Sequence, residues 1–548
     1  MAMNDLIKRY IGGIQKFQLQ LTTLSPVAIR NGETLSPLTD YHIQDTNFYF
    51  VDSDKLLEEI AENGWLAEFE ERVAEYTGNH SEGTETGARE KKQFIQKFLK
   101  DKEVAINPYL KKETPLLCNI KSEEKWVQLH TTLKGLHGAY IPASTTKGAI
   151  RTAVLYQWLM TCDEGKKELE SLISTYKDWI QKRVEKKNNI NKQRKTAKEN
   201  NEIEKEKEFK GQLKEQEKDN KQEILNRLNA YEKKIGEVVF GNEEGGFSIA
   251  TFLKVSDSIT FSYGDLQVGS LAKKYREDEE TKEKRGKEFT PALQEFIGVN
   301  KKSGIDFSLS NLSLDLQSPR RKGYLSGILT AKNGLAELFK ALKLFSKDYL
   351  AFEIARLKGF QEGEKTGRYY IEEELAGFHQ TLEGLNKICL GLKPNEAMLC
   401  LGFGKSVFMN TVLLAISKTD REVFTNIIKM LYPNHPKQKF FPISYYTTSI
   451  GQQDYPFGWV KIEDGNVDNY KEESSQSYSE NELRSGEPIE AIVKKQGKPR
   501  STVAINIDGV ERLFEVCGTK DFLRNNNTLH VDTKCIVYWR NDQLNFNK

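Results

Sequence analysis

Two short segments carry the residues best suited to holding an anion. In Tyr140-Ile-Pro-Ala-Ser-Thr-Thr-Lys-Gly-Ala-Ile-Arg151, Pro142 ends whatever precedes it. Ser144, Thr145 or Thr146 is then placed to cap a helix by accepting a backbone N–H. Ile150, Ala153, Val154 and Trp158 recur at helical spacing. Lys147 and Arg151 fall one turn apart on one face, with Gly148 between them. A lysine in the first turn opposes the positive end of the helix dipole, a cost that a bound anion offsets. N–H groups, hydroxyls and two cations around one helix start form a phosphate-binding pattern. The same residues also read as an ordinary capped helix with two solvated cations.

The second segment is Leu401-Gly-Phe-Gly-Lys-Ser-Val-Phe408. Gly402 and Gly404 let a backbone approach a ligand closely, with Phe403, Lys405 and Ser406 beside them. A Walker A loop would need a glycine where Leu399 stands, and a dinucleotide fingerprint would need one at Val407. The aromatic and glycine pattern of RNA-recognition domains fits in part, through Gly402, Phe403, Gly404 and Phe408. Taken alone, the segment also reads as a glycine turn between two buried elements.

Acid–base or metal chemistry finds less support. Of seven histidines, His42 and His137 lie nearest these segments, but neither has a visible partner. Asp257, in Val255-Ser-Asp-Ser258, follows a strand and is the carboxylate to weigh for a metal-dependent nuclease. Six cysteines show no CxxC spacing, so neither a disulfide framework nor a zinc site is expected, and a reducing cytoplasm fits. No metal, no cofactor and no catalytic residue is assigned.

The elements that must position these residues are strands interleaved with helices, an α+β pattern. Phe17, Leu19 and Leu21 alternate with polar residues in a strand within Lys16–Ile29. Phe48–Val51 reads as a strand, and Asp52, Ser53 and Asp54 cap a helix carrying Leu56, Leu57 and Ile60. Ile249–Phe261 and Asp306–Leu316 read as long strands. Residues 181–222 are dominated by Lys, Glu, Asn and Gln, too polar to bury a face. They read as a solvated helical arm whose flanks, Leu169–Trp179 and Ile224–Val239, pair as a hairpin. Residues 273–288 read as a charged mobile loop. Around Phe440–Trp459 aromatics are dense, and Tyr445 and Tyr446 are the surface candidates for stacking on bases.

Residues 464–487 form a Ser/Glu/Asn-rich linker. Beyond it Ile489–Lys494, Thr502–Asp508, Glu511–Val516 and Cys535–Trp539 suit a small OB-like or SH3-like β-barrel, with a hairpin signal at Asp508-Gly509. Lys494, Lys495, Lys498 and Arg500 make its first loop basic. The expected divisions are 1–163, an insertion at 164–236, 237–463, the linker, and 488–548.

In this order, the segments resemble the RAMP proteins of CRISPR systems. The first is similar to their I-P-G-S-S-x-K-G-x-x-R signature, the second to their C-terminal glycine-rich loop. Thr22-Thr-Leu-Ser-Pro-Val-Ala-Ile-Arg-Asn-Gly32, Phe48-Tyr-Phe-Val-Asp52, Phe441-Pro-Ile-Ser-Tyr445 and Pro456-Phe-Gly-Trp-Val460 narrow the resemblance to the fifth Csm subunits of type III-A effector complexes. It covers most of residues 15–462. The chain departs from the family at Ala28-Ile29-Arg30, where His-Ile-Gly is usual, at Ala143, where the signature has glycine, and at Ser444 or Tyr445, where a basic residue is favoured.

The resemblance implies ferredoxin-like, RNA-recognition-type cores and a crRNA-binding cap subunit in antiviral defence. It implies contacts to the 3′ part of the crRNA and to the filament of backbone subunits. Its partners would be crRNA, other Csm subunits and target RNA. The expected RNA contacts are Arg30, Ser144, Thr145, Thr146, Lys147, Gly148, Arg151, Gly402, Phe403, Gly404, Lys405 and Ser406. The alternatives are a RAMP ribonuclease that matures crRNA, a backbone-type subunit and a purely structural one.

The whole chain sets bounds on these readings. With 548 residues it holds two to four domains. A net charge of +2 confines any RNA site to a local patch. No run reaches the roughly 18 apolar residues that span a membrane, and no leader is evident, so a soluble cytoplasmic protein is expected.

Overall fold

The computed structural model describes residues 14–44, 47–78, 94–115, 128–241, 253–275, 292–310, 324–330, 333–362, 372–406, 409, 412–431, 444–465, 489–495, 501–507, 510–517, 534–540 and 543–546. The chain divides into two compact units, Met1–Gly465 and Asn466–Lys548.

The first unit is built on two large sheets, beside a three-stranded one of Tyr41–Gln44, Asn47–Val51 and Leu110–Pro115 and a two-stranded one of Lys134–Gly135 and Gly138–Ala139. In one of the two large sheets, the strands Glu396–Cys400, Trp459–Asp464, Ile14–Thr23, Lys302–Ser310 and Leu253–Val255 lie side by side in that order, each antiparallel to its neighbour. The alternation at Leu19 and Leu21 sets its register. Leu19 faces Ile305, and Leu21 faces Ile462, which in turn faces Ala397. All five are buried, forming one apolar face across four strands. The helices Ala143–Thr161 and Gly334–Glu362 pack against each other and against this sheet.

The other sheet has the order Gln453–Pro456, Ser444–Ile450, Leu266–Tyr275, Ala292–Ile297, Gln128–Thr132 and Arg30–Leu35. Only the pair Gln128–Thr132 with Ala292–Ile297 is parallel. Its buried side chains include Leu129, Val268 and Leu293 in one cluster and Leu271 and Phe296 in another, which Phe457 joins from beyond the sheet.

Several sequence expectations shift. Among the described residues the strand expected over Ile249–Phe261 is Leu253–Val255. Beyond it Ser256 and Ile259 N–H still donate to Asp306 and Gly304 of the neighbouring strand, but the ladder is interrupted where Ser258 and Phe261 turn to another segment. Ser258 exchanges bonds with Ile141, and Phe261 N–H donates to Ala139. Residues 249–252 and 311–316 lie outside the described residues. The start of the expected loop at 273–288 is strand, since Lys273 pairs with Tyr446, and 276–288 lie outside the described residues. Asp52 does cap the helix Ser53–Glu62, accepting from Lys55 N–H at 3.4 Å.

The polar insertion is two long helices, Asp163–Glu199 and Ile203–Phe240, packed as an antiparallel hairpin. Near the root they bury Leu169, Ile173, Tyr176, Ile224, Leu228 and Ile235. Outward the seam thins but does not vanish. Contrary to the expectation that 181–222 bury no face, Ile190, Ala197, Gln216 and Asn220 are buried between the helices, flanked by the cross-helix ion pairs of Arg183 with Glu223 and Lys187 with Glu217. Such exposed pairs stabilise by only about 0.2–1 kcal/mol each. Deleting residues 186–220 and joining the helices by a Gly/Ser turn should therefore shift the melting midpoint by no more than about 3 °C. Calorimetry that finds no cooperative transition in soluble deletion variant would contradict this.

The second unit contains a closed barrel, Ile489–Lys495, Ser501–Ile507, Val510–Cys517, Gln543–Asn545 and Lys534–Arg540 in order around the ring. Ile489, Ala491, Val493, Val503, Ile505, Val516, Val537 and Phe546 fill it. Asp508-Gly509, Lys498 and Arg500 lie outside the described residues, as do 466–488.

Candidate nucleic-acid interface

The helix Ala143–Thr161 starts behind Pro142, as its sequence predicts, but its cap comes from elsewhere. No side chain of the expected Ser144, Thr145 and Thr146 caps it. Asp257 accepts the Ala143 N–H at 2.7 Å, and Pro142 carbonyl accepts from Thr145 and Thr146. A carboxylate on the positive end of a helix is favourable there. The protein's own Asp257 thus takes the place that the sequence reserved for an anion on the first N–H. Thr146 is fully buried, with its hydroxyl unpartnered, while Ser144 is exposed.

The cations remain. Lys147 is half-buried, and its ammonium is held below the usual lysine range by desolvation and then by the Arg151 charge. The Arg151 guanidinium lies over the Phe240 ring at 4.7 Å, a stack that uses its face and leaves its N–H edge for an acceptor. Two like charges one turn apart, one of them partly desolvated, favour a bound anion.

The glycine-rich segment turns out to be internal in its tightest contacts. Gly402 has φ +70°, and a Cβ there would stand 2.3 Å from the Ala28 carbonyl oxygen. Gly458 has φ +95°, with the Leu401 carbonyl 2.2 Å from the same construction, and Gly404, at φ +87°, would meet Phe457 at 2.9 Å. Phe403 N–H donates to Ala28, Leu401 N–H to Gly458, Gly458 N–H to Pro26, and Trp459 N–H to the Ser25 hydroxyl. Three distant segments, 25–28, 401–404 and 457–459, thus form one hydrogen-bonded knot. The close approach expected between Gly402 or Gly404 and a ligand is made by this chain itself. Beside Lys405, the cavity lined by Tyr349, Glu353 and Tyr445 is ≈30 Å³, room for a water and no nucleotide. Lys405 is half-buried near Cys400, whose thiol burial pushes up to about 12 against the lysine charge. Val407 and Phe408 lie outside the described residues.

The knot also builds an outer face. Arg30 lies 3.7 Å over the Phe403 ring, Phe403 packs on Tyr446 with centroids 5.1 Å apart, and Lys273 approaches Tyr446 from the neighbouring strand. Gln294 fixes Arg30 by accepting from its Nε at 2.9 Å and donating to the His130 and Glu295 carbonyls. His130 is held below the usual histidine range by desolvation and by the Arg30 charge, so it is neutral at pH 7. Of the two tyrosines expected on the surface, Tyr446 is. Tyr445 points inward, donating to Glu353 at 2.5 Å and packing on Phe378, because neighbours on a strand face opposite sides.

Arg30 and Phe403 are thus brought together, and Lys147 and Arg151 share one helix. The helix Gly334–Glu362 links the two groups through consecutive residues. Asp348 accepts from Tyr156 of the Arg151 helix at 2.8 Å, and Tyr349 donates to Ser406 at 3.0 Å. Sequence reading missed Lys273, Gln294 and Asp348. Their signal is pairing across the fold, which no local pattern carries.

The three catalytic candidates lie in different settings. His42 is buried in a three-stranded sheet, its Nε2 is unpartnered, and desolvation lowers its pKa. His137 is exposed, and Asp257 is engaged at the helix start. Among the described residues no His, Cys, Asp or Glu cluster could hold a metal, and no helix is long and apolar enough to cross a membrane.

A chain in the cryo-EM structure of a Csm-crRNA-target RNA ternary complex of a type III-A CRISPR-Cas system aligns with 82% of this chain and 100% of its own, at TM-score 0.53 and 18% identity. This protein has the fold of that Csm-complex chain. The crystal structure of T.onnurineus Csm5 also matches, over 80% of this chain and 99% of that one, at TM-score 0.47 and 16% identity. No protein-family description and no curated protein matches the sequence.

Proposed function

We propose that the protein is the fifth subunit of a type III-A Csm effector complex, where it binds the 3′ part of the crRNA and ends the backbone filament. The observation that carries this reading is the cation–aromatic cluster of Arg30, Phe403, Tyr446 and Lys273, exposed at Arg30 and Tyr446 and half-buried at Phe403 and Lys273, on a fold shared with a chain of an RNA-bound Csm complex. Cations hold phosphates and open aromatic faces accept unpaired bases without reading their sequence. Lys147 and Arg151 add two phosphate contacts.

The order Trp459–Asp464, Ile14–Thr23, Lys302–Ser310, Leu253–Val255, with helices in both crossovers, supports reading the first sheet as ferredoxin-like. The small barrel is read as OB-like or SH3-like. Neither barrel lysine, Lys494 or Lys495, is assigned a contact.

The protein is proposed to hold RNA and not to cut it. Holding uses phosphate contacts and stacking, and needs neither nucleophile nor metal. Labelled single-stranded RNA incubated with the purified protein, with and without divalent metal, should be bound and remain intact. Metal-independent cleavage abolished by His42→Ala or His137→Ala would promote the ribonuclease reading. Metal-dependent cleavage abolished by Asp257→Ala would point to a carboxylate site.

A further inference from the structure

At the root of the helical arm lies a cleft of ≈240 Å³, lined by Gly148, Arg151, Tyr156, Glu232, Gly236 and Phe240, with Phe345 and Val412 closing it. It is smaller than the roughly 300–1,000 Å³ sites of drug-sized ligands and suits one flat ring system. Its walls differ in chemistry. Phe240, Tyr156 and Phe345 supply aromatic surface, and Arg151 lies over Phe240 at 4.7 Å. Glu232 is the acid, oriented by the Val412 N–H, which donates to its Oε1 at 3.3 Å. Burial raises the Glu232 carboxyl above its usual range, so a hydrogen-bond donor entering the cleft would stabilise the charged form.

The glycines are the second observation. Gly148 and Gly236 sit inside helices, where alanine is favoured over glycine. Packing requires neither, since a Cβ on either would meet nothing within 4 Å. Both line the cleft, so what they provide is open, bare backbone surface at its wall.

We propose that this cleft receives one unpaired base of the bound RNA, with Glu232 reading a donor-bearing, guanine-type edge and Arg151 holding the adjoining phosphate. The inference rests on the RNA-binding reading above and adds a base preference to it. A carboxylate accepts from the paired imino and amino groups of guanine, whereas uracil sets carbonyl acceptors on both sides of its single donor. Hydrogen-bonded readout of this kind discriminates by about 1–3 kcal/mol, on the order of tenfold or more.

The test uses oligouridine with a single guanosine walked through every position, measured against the full-length protein by fluorescence anisotropy. One position should bind about tenfold tighter than all-uridine RNA. Glu232→Gln, which exchanges an acceptor for a donor, should remove most of that gain. Gly236→Ala, which has room for its methyl group, should stay folded and also reduce it. Equal affinity at every position, with the salt-dependent binding intact, would overturn the base site and leave the RNA-binding reading standing. Absence of any RNA binding would overturn both. A free nucleotide offers the same edge. Displacement of labelled RNA by guanosine monophosphate only at far higher concentration supports an RNA base as occupant, and saturation at RNA-like concentrations would overturn that assignment.

Discussion

Replacing Lys147 and Arg151 together by alanine is expected to weaken RNA binding on the order of 100-fold, taking about 1.5 kcal/mol or more for each charge-assisted contact. It should also flatten the salt dependence. Each phosphate contact contributes about 0.7–0.9 units to the log–log slope, so the double variant should lose between roughly 1.4 and 1.8 units. The two cations lie one turn apart, and the Lys147 ammonium is already disfavoured by desolvation and by Arg151. That arrangement costs stability in the free protein, and a bound phosphate relieves it. The double variant should therefore fold at least as stably as the parent while binding RNA less well. An unchanged slope in a folded double variant would remove the helix start from the RNA site.

Gly402→Ala should have the largest effect on stability, at more than about 3 kcal/mol. A non-glycine residue at φ +70° costs on the order of 1–3 kcal/mol. Its methyl group would also stand 2.3 Å from the Ala28 carbonyl, where backbone on both sides must move. Gly458→Ala should behave alike, since its added carbon would stand 2.2 Å from the Leu401 carbonyl. Gly148→Ala is the contrast, with open space and a helical conformation that favours alanine. Denaturant unfolding of the three variants checks the ranking. A Gly402→Ala protein of parental stability that had lost RNA binding would restore the ligand-facing reading of that loop.

How much of this was legible in the sequence depended on how far each signal had to reach. Strand Ile14–Thr23 and helix Ala143–Thr161 announce themselves by period, because Leu19 and Leu21, or Ile150, Ala153, Val154 and Trp158, carry their own pattern. The arm's helices are equally local, since a polar segment with apolar flanks has few other ways to fold. The cap of the Ala143 helix was hidden because Asp257 lies 114 residues away. The glycines were misleading for a related reason. A bare backbone is equally suited to a ligand and to another part of its own chain, and only the fold shows that Ala28 approaches Gly402. The face formed by Arg30, Phe403, Tyr446 and Lys273 draws on four separate segments, so only Arg30, Phe403 and Tyr446 could be nominated, and none could be paired.

The proposed role requires one copy of this chain on RNA at the end of a Csm complex. Native mass spectrometry of the complex purified through a tag on this chain tests it most directly. A single assembly mass is expected, equal to crRNA, the other Csm subunits and one copy of this protein. Two or more copies per crRNA, or a tagged protein recovered free of RNA and of other subunits, would contradict it.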